Sequence, residues 1–166
     1  MKQLQYILLS IIVLAVFTSC SSDDDAQNPE VPLSFETLTR DDITALESSM
    51  ASVMLNGTND TGILWEDGKI LLYRTSDGRL GKLRVLDLSF PSVLLSIEAI
   101  TYNSDGSMYS STNRLEIQGN DECDLDAMTT RPTLNQNEFV WERVTELQTR
   151  ISPLTDFIFV EWEAQN

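Results

Sequence analysis

Three Asp-Gly dipeptides, Asp67-Gly68, Asp77-Gly78 and Asp105-Gly106, punctuate a series of short apolar runs between residues 62 and 118. Both residue types tolerate the positive φ that a two-residue turn demands. Flanked by β-branched and aromatic residues, such dipeptides read as antiparallel strands joined by tight turns. The runs predict strands at 62–66, 69–75, 81–90, 93–102 and 108–118, with Pro91 separating the third from the fourth. In the fourth, Val93, Leu95, Ile97 and Ala99 share one face and Ser96 and Glu98 the other, as a sheet with one buried side requires.

The flanks read differently. Between Thr39 and Asn56, Ile43, Leu46, Met50, Val53 and Met54 recur at helical spacing. Thr39 and Asp42 form a capping pair for that helix, and Asn56-Gly57 supplies a stop. Residues 119–136 lack periodicity and are rich in Asp, Asn and Thr, which predicts a long ordered loop. Val140, Val144, Leu147 and Ile151 fit a second helix, capped by Asn135 and Glu138 and stopped by Pro153. Phe139, Trp141, Leu147 and Ile151 also share parity, so a strand is the rival reading. The stretch from Asp156 to Trp162 is apolar on both faces and is expected inside a sheet. The sum is an α+β, β-rich fold: a mostly antiparallel sheet, as a sandwich or open barrel, with two helices packed on it.

Charge narrows the partners. The 166 residues carry 26 acidic and 11 basic side chains, a net charge of −15. Nucleic acid is excluded as a partner, because its affinity comes mainly from Lys and Arg neutralising phosphates. Direct docking of the polypeptide on an anionic membrane is disfavoured for the same reason. The chain has no histidine, which removes Ser-His-Asp and Cys-His catalysis together.

At the N-terminus, Lys2 precedes an apolar run from Tyr6 to Phe17, then Thr18-Ser19-Cys20 and Ser21-Ser22-Asp23-Asp24-Asp25. A positive start, an apolar middle of about a dozen residues and small residues before a cut site are the parts of a secretory signal. The run falls short of the roughly 20 apolar residues that span a bilayer. With its cysteine after the small pair, the stretch resembles the lipobox of bacterial lipoproteins. That resemblance implies that Cys20 receives lipid and becomes the first residue of the mature chain, with Phe17 standing where the family usually has Leu. Three acyl chains on one cysteine, each CH2 contributing about 0.8 kcal/mol on burial, hold stably where a single chain does not.

Ser22, Asp23, Asp24 and Asp25 are similar to the acidic surface-export signal of Bacteroidetes lipoproteins, which implies an outer-membrane protein facing the cell exterior, the periplasmic face being the alternative. The organisation this gives is a signal peptide over 1–19, an acidic tether over 20–33 and one β-rich domain over 34–166. With Cys20 lipidated, Cys123 is the thiol that remains, and no disulfide forms inside the domain. The domain, with its 74–79 turn and its 123–126 segment, resembles small lipoprotein domains from such bacteria, a resemblance that carries no activity with it.

Four candidate chemistries remain. Asp121, Glu122, Asp124 and Asp126 could supply oxygens to calcium, the one cofactor considered. The EF-hand spacing fails, however. Counted from Asp124 the sixth position is Thr129 and the twelfth Asn135; counted from Asp121 the third is Cys123 and the fifth Leu125. The bland reading is a solvated acidic loop. Cys123, among those carboxylates, is expected to be an inert buried thiol. Arg74, Arg79, Lys82 and Arg84 could form a patch for an anion or an acidic partner, or pair singly with nearby carboxylates. Trp65 and Tyr109, beside polar turns, are candidate platforms for a glycan, the other large aromatics being assigned to the core. These features imply a non-enzymatic module, lipid-anchored through Cys20, that binds an envelope protein or a glycan. The alternatives are a carboxylate-dependent extracellular hydrolase and a purely structural lipoprotein.

Overall fold

The computed structural model describes residues 33–89, 93–131 and 137–163. Cys20, Ser22, Asp23, Asp24, Asp25, Pro91 and Asn135 lie outside the described residues. In chain order the elements are α1 (Arg40–Leu46), a 3-10 turn (Glu47–Ser49), β1 (Leu55–Asn59), β2 (Gly62–Ile63), β3 (Ile70–Arg74), β4 (Leu80–Ser89), β5 (Leu94–Tyr102), β6 (Met108–Ile117), β7 (Glu122–Asp124), β8 (Thr129–Thr130), β9 (Phe139–Arg143), β10 (Thr149–Pro153) and β11 (Ile158–Trp162). They form two antiparallel sheets, one in the order β2-β1-β10-β9-β7-β8 and the other in the order β11-β3-β4-β5-β6.

Two of the three Asp-Gly turns close hairpins. Gly78 (φ 82°) joins β3 to β4, and Gly106 (φ 84°) joins β5 to β6. Asp67-Gly68 does not, because β2 and β3 belong to different sheets. It turns the chain from one sheet to the other, and Gly68 N–H donates to Val85 O at 2.9 Å. The partner of β2 is instead β1, across Asn59-Asp60-Thr61-Gly62, where Asn59 Oδ1 accepts from Thr61 N–H at 2.9 Å.

The helix expected over 39–56 is a single short α-helix. Thr39 and Asp42 cap it as predicted, Thr39 N–H donating to Asp42 Oδ2 at 2.8 Å and Asp42 N–H to Thr39 Oγ1 at 3.4 Å. Ile43 and Met50 are buried, but Val53 and Met54 belong to an extended run into β1 and are exposed. The second expected helix is replaced by the β9–β10 hairpin. Its inner face carries Phe139, Trp141, Thr149 and Ile151, with Trp141 opposite Ile151, and Val144 and Leu147 stand exposed in the turn. Among the described residues the fold is β-rich with one α-helix, not two.

The main core fills the space between the sheets. Leu71, Tyr73, Leu83, Val85, Ile97 and Ala99 from one sheet meet Cys123, Phe139, Trp141 and Ile151 from the other. A second core lies on the outer face of the five-stranded sheet, where Phe35, Leu38, Ile43 and Met50 cover Ile70, Leu72 and Leu80. This arrangement corrects the expectation for β11. Among the described residues the strand is at an edge of its sheet, not inside it, with β3 on one side and only an Ala51–Phe159 bridge on the other. It is apolar on both faces because that end of the sheet is covered above and below: Phe157 and Phe159 pack into the main core, and Ile158, Val160 and Trp162 against the helical layer.

Candidate functional site

The β3–β4 turn, the start of β6 and the segment after β7 meet at one end of the sheets and bring together residues that the sequence assigns to three different roles. Arg79, from the basic group, donates through one nitrogen to Asp77 at 2.9 Å and to Asp126, from the acidic group, at 2.7 Å. Its guanidinium lies 4.0 Å from the ring centroid of Tyr109, the aromatic candidate, a stacking that desolvation of the cation strengthens. The hydrogen bond to Asp77 raises the Arg79 pKa, and burial opposes it. Burial pushes the Asp126 carboxyl up, against the Arg79 charge and the neighbouring Thr75 hydroxyl.

Beneath this cluster sits Glu138, which the sequence reading places in a helix cap. It is 0% exposed. One carboxylate oxygen accepts from Leu125 N–H at 2.6 Å, and the other from the Ser76 hydroxyl at 3.3 Å. Its backbone N–H donates to Cys123 O and its carbonyl accepts from Leu154 N–H, each at about 2.9 Å or less. Burial pushes its pKa up to about 7, with the charges of Asp124 and Asp126 adding and the Leu125 N–H opposing. The residue ties three segments together. No pattern announces it, because alternation with Phe139 and Trp141 predicts that position 138 faces solvent.

The rest of the basic group is dispersed. Arg74 pairs with Glu47 at 3.0 Å, and Arg84 with Glu36 and Glu98 at 2.6 Å each. Lys82 is buried on the outer sheet face, donating to the carbonyls of Phe35 and Leu38. An anion patch of Arg74, Arg79, Lys82 and Arg84 is therefore not assembled. Each cation already has its own acceptor, as expected of scattered cations in an acidic domain.

The carboxylates of the acidic stretch are taken up by separate donors. In β7, Glu122 and Asp124 flank Cys123, whose side chain goes into the core, so those two share the outer face. Asp121 accepts from Arg131 at 3.0 Å, Glu122 from the Asn137 side chain, and Asp124 from the backbone N–H groups of Asp126 and Ala127 at 2.9 and 2.7 Å. Among the described residues no group of three or more His, Cys, Asp or Glu is placed to hold a metal ion, and the possible calcium ligands Asp121, Glu122, Asp124 and Asp126 are not gathered into one. Cys123 is fully buried, and burial raises its pKa with Glu138 and Asp124 adding.

The two aromatic candidates part company. Trp65 is 6% exposed and packs 5.4 Å from Trp141, in the main core where the chain crosses between sheets; it is no surface platform. Tyr109 is 47% exposed, with Arg79 over its ring. The cluster thus holds three carboxyls, Asp77, Asp126 and Glu138, and a set of carboxyls suits acid–base work only where a substrate reaches them. Glu138 is enclosed and committed to Leu125 and Ser76. Its chemistry is to fasten loops beneath a surface formed by Arg79, Asp77 and Tyr109. Compared with known proteins, the chain matches no family model, no curated protein and no solved structure.

Proposed function

We propose that the chain is a lipid-anchored protein of the outer membrane, facing the cell exterior, whose β-rich domain is a non-enzymatic interaction module for an envelope protein or a glycan. The observation that supports the interaction role is the Arg79 cluster. Its charges are spent on Asp77 and Asp126, and the buried Glu138 locks the loops below, so this end presents a fixed surface rather than a reacting centre. Preformed surfaces of this kind bind without the ordering cost of mobile loops. Anchoring is supported by the lipobox-like stretch ending at Cys20 and the aspartates behind it.

Growth with labelled palmitate tests the anchor: the wild-type chain is labelled and sediments with membranes, and Cys20→Ala is neither. An unlabelled wild-type chain ends this part of the reading. A photo-crosslinking residue at position 109, on intact cells, tests the interaction surface. One discrete adduct is expected, weakened by Arg79→Ala; a smear unchanged by that substitution removes the role assigned to this end.

A further inference from the structure

A second surface lies at the end of β11, away from Arg79. Trp162 separates two shallow clefts and lines both. One, of about 470 Å3, has walls from Leu64, Glu66, Asp67, Lys69 and Glu163. The other, of about 380 Å3, has a floor of Leu38, Ala45, Leu46 and Val160, with Asp42, Glu161 and Glu163 at its rim. Trp162 itself is partly exposed between them.

The charge around this tryptophan is one-sided. Among the described residues that line the clefts the single cation, Lys69, is already paired with Glu161. Among the described residues Glu66, Asp67 and Glu163 take part in no ion pair, unlike the carboxylates around Arg79 and Arg84. A partly exposed indole flanked by uncompensated carboxylates attracts a cation twice, through the ring quadrupole and through charge. The adjoining apolar floor asks for a hydrocarbon side chain. A ligand that satisfies both clefts carries a positive charge and an apolar group a few ångströms apart, as a segment of protein with Lys or Arg next to Leu or Val does. An anionic ligand is repelled, and a neutral sugar leaves the carboxylate surplus unanswered.

We propose that the paired clefts around Trp162 dock a basic, partly apolar segment of a protein partner, its Lys or Arg side chain over the indole between Glu66 and Glu163, and its apolar neighbour on Leu46 and Val160. This surface is distinct from the Arg79 end, and it stands whether or not Cys20 carries lipid.

The probe is an octapeptide of alternating Lys and Leu, capped at both ends, with a Glu-Leu octapeptide of the same length as its counterpart, added to the full chain in detergent. Trp65 and Trp141 are buried, so protection of the tryptophan fluorescence from acrylamide quenching reports on Trp162. The Lys-Leu peptide is expected to protect and to bind, and the Glu-Leu peptide to do neither. Glu66→Gln with Glu163→Gln is expected to weaken binding about tenfold, and Trp162→Leu by a similar factor. Glu116→Gln with Glu146→Gln, which removes the same charge elsewhere, leaves it within twofold. Trp162→Phe keeps most of the affinity, which separates recognition from a fold defect. Equal weakening by both charge pairs means that the peptide is held by net charge alone and overturns the proposal. So does protection of Trp162 by neutral oligosaccharides but not by the Lys-Leu peptide, which makes the surface a glycan site.

Discussion

Lys82 Nζ donates to Leu38 O at 2.7 Å across 44 residues of sequence, and donates to Phe35 O as well. The lysine is 2% exposed. It stands on the outer face of β4, beside Leu72 of β3, and two backbone carbonyls of the incoming chain converge on it. The segment that leads into α1 is therefore laid on the sheet by an ammonium group as well as by the side chains of Phe35 and Leu38. Phe35 also offers its ring to the same nitrogen, 4.9 Å from the centroid.

Lys82→Met keeps the hydrocarbon and strands both carbonyls. A buried acceptor left without a donor costs about 1–3 kcal/mol, so a loss of that order is expected in urea unfolding at pH 7. Burial also holds the Lys82 pKa below its ordinary 10.5. In the window below 10.5 the native state has released a proton that the unfolded chain still binds, and stability then rises with pH. The wild-type chain should gain on Lys82→Met as pH rises toward 10.5. A difference that stays constant up to 10.5 contradicts the burial argument.

Glu138 carries the opposite pH signature. Its pKa rises from 4.5 to about 7 on folding. Between those values the native state binds more protons than the unfolded state, so stability is greatest below 4.5 and declines as pH climbs through 7. The full difference is on the order of 3 kcal/mol. Carboxyls whose pKa values are lowered, such as Asp42 and Glu142, lose their contributions as pH falls below the ordinary range, outside this window. Glu138→Gln keeps an acceptor for Leu125 N–H and can donate to Ser76, without the buried charge. It should be more stable than wild type at pH 8 and lack most of the decline between pH 5 and 8. Parallel denaturation profiles for the two proteins rule this out.

The contrast between Lys82 and Glu138 marks what the sequence discloses. Strands from residue 70 to 117 are legible because two Asp-Gly turns sit between apolar runs of strand length, and the Thr39–Asp42 cap is legible because it is local. The β9–β10 hairpin is not. Val144 and Leu147 complete a helical spacing by accident of lying in a turn, while the buried Phe139, Trp141, Thr149 and Ile151 obey a period of two that includes a polar threonine. Thr149 is buried because its hydroxyl and that of Thr58 lie 2.9 Å apart across strands, a pairing that no local pattern contains. The site shares this limit. Arg79, Asp126 and Tyr109 are each conspicuous as residue types, but their meeting depends on how three loops converge. Glu138 and Lys82 owe their burial to partners more than ten residues away.

Close packing supplies a test at Gly81. A Cβ built on this glycine falls within the ring of Tyr73, whose hydroxyl lies 2.8 Å from that of Thr101 and donates to Ile100 O at 3.2 Å. The ring cannot retreat without losing both contacts. Gly81→Ala is expected to lower stability by about 1–3 kcal/mol, the usual cost of overfilling a core. Gly119→Ala meets only the edge of the Val93 side chain, at 3.0 Å, and should cost less. Thermal unfolding of the two variants side by side checks the order, and a reversed ranking refutes it.

Removing Arg79 should expose how far the loop cluster depends on one cation. Asp77 and Asp126 share its nitrogen, Asp126 is half-buried, and Glu138 lies behind with a carboxyl already pushed up by burial. In Arg79→Ala these carboxyls repel one another without a counter-charge, so the pKa of Asp126 climbs further above its ordinary value. Partly exposed pairs contribute less than buried ones, which sets the expected loss at about 1–2 kcal/mol at pH 7.5. Protonation relieves the repulsion, so the loss should shrink toward pH 5. Arg79→Lys restores charge but not the flat stacking on Tyr109, and should recover the stability only in part. Carboxyl chemical shifts of Asp126 followed against pH, together with Arg79→Ala combined with Asp126→Asn, separate the ion pair from the stacking. If the double variant is no more stable than Arg79→Ala at pH 7.5, the burden falls on Tyr109 and not on the stranded carboxylate.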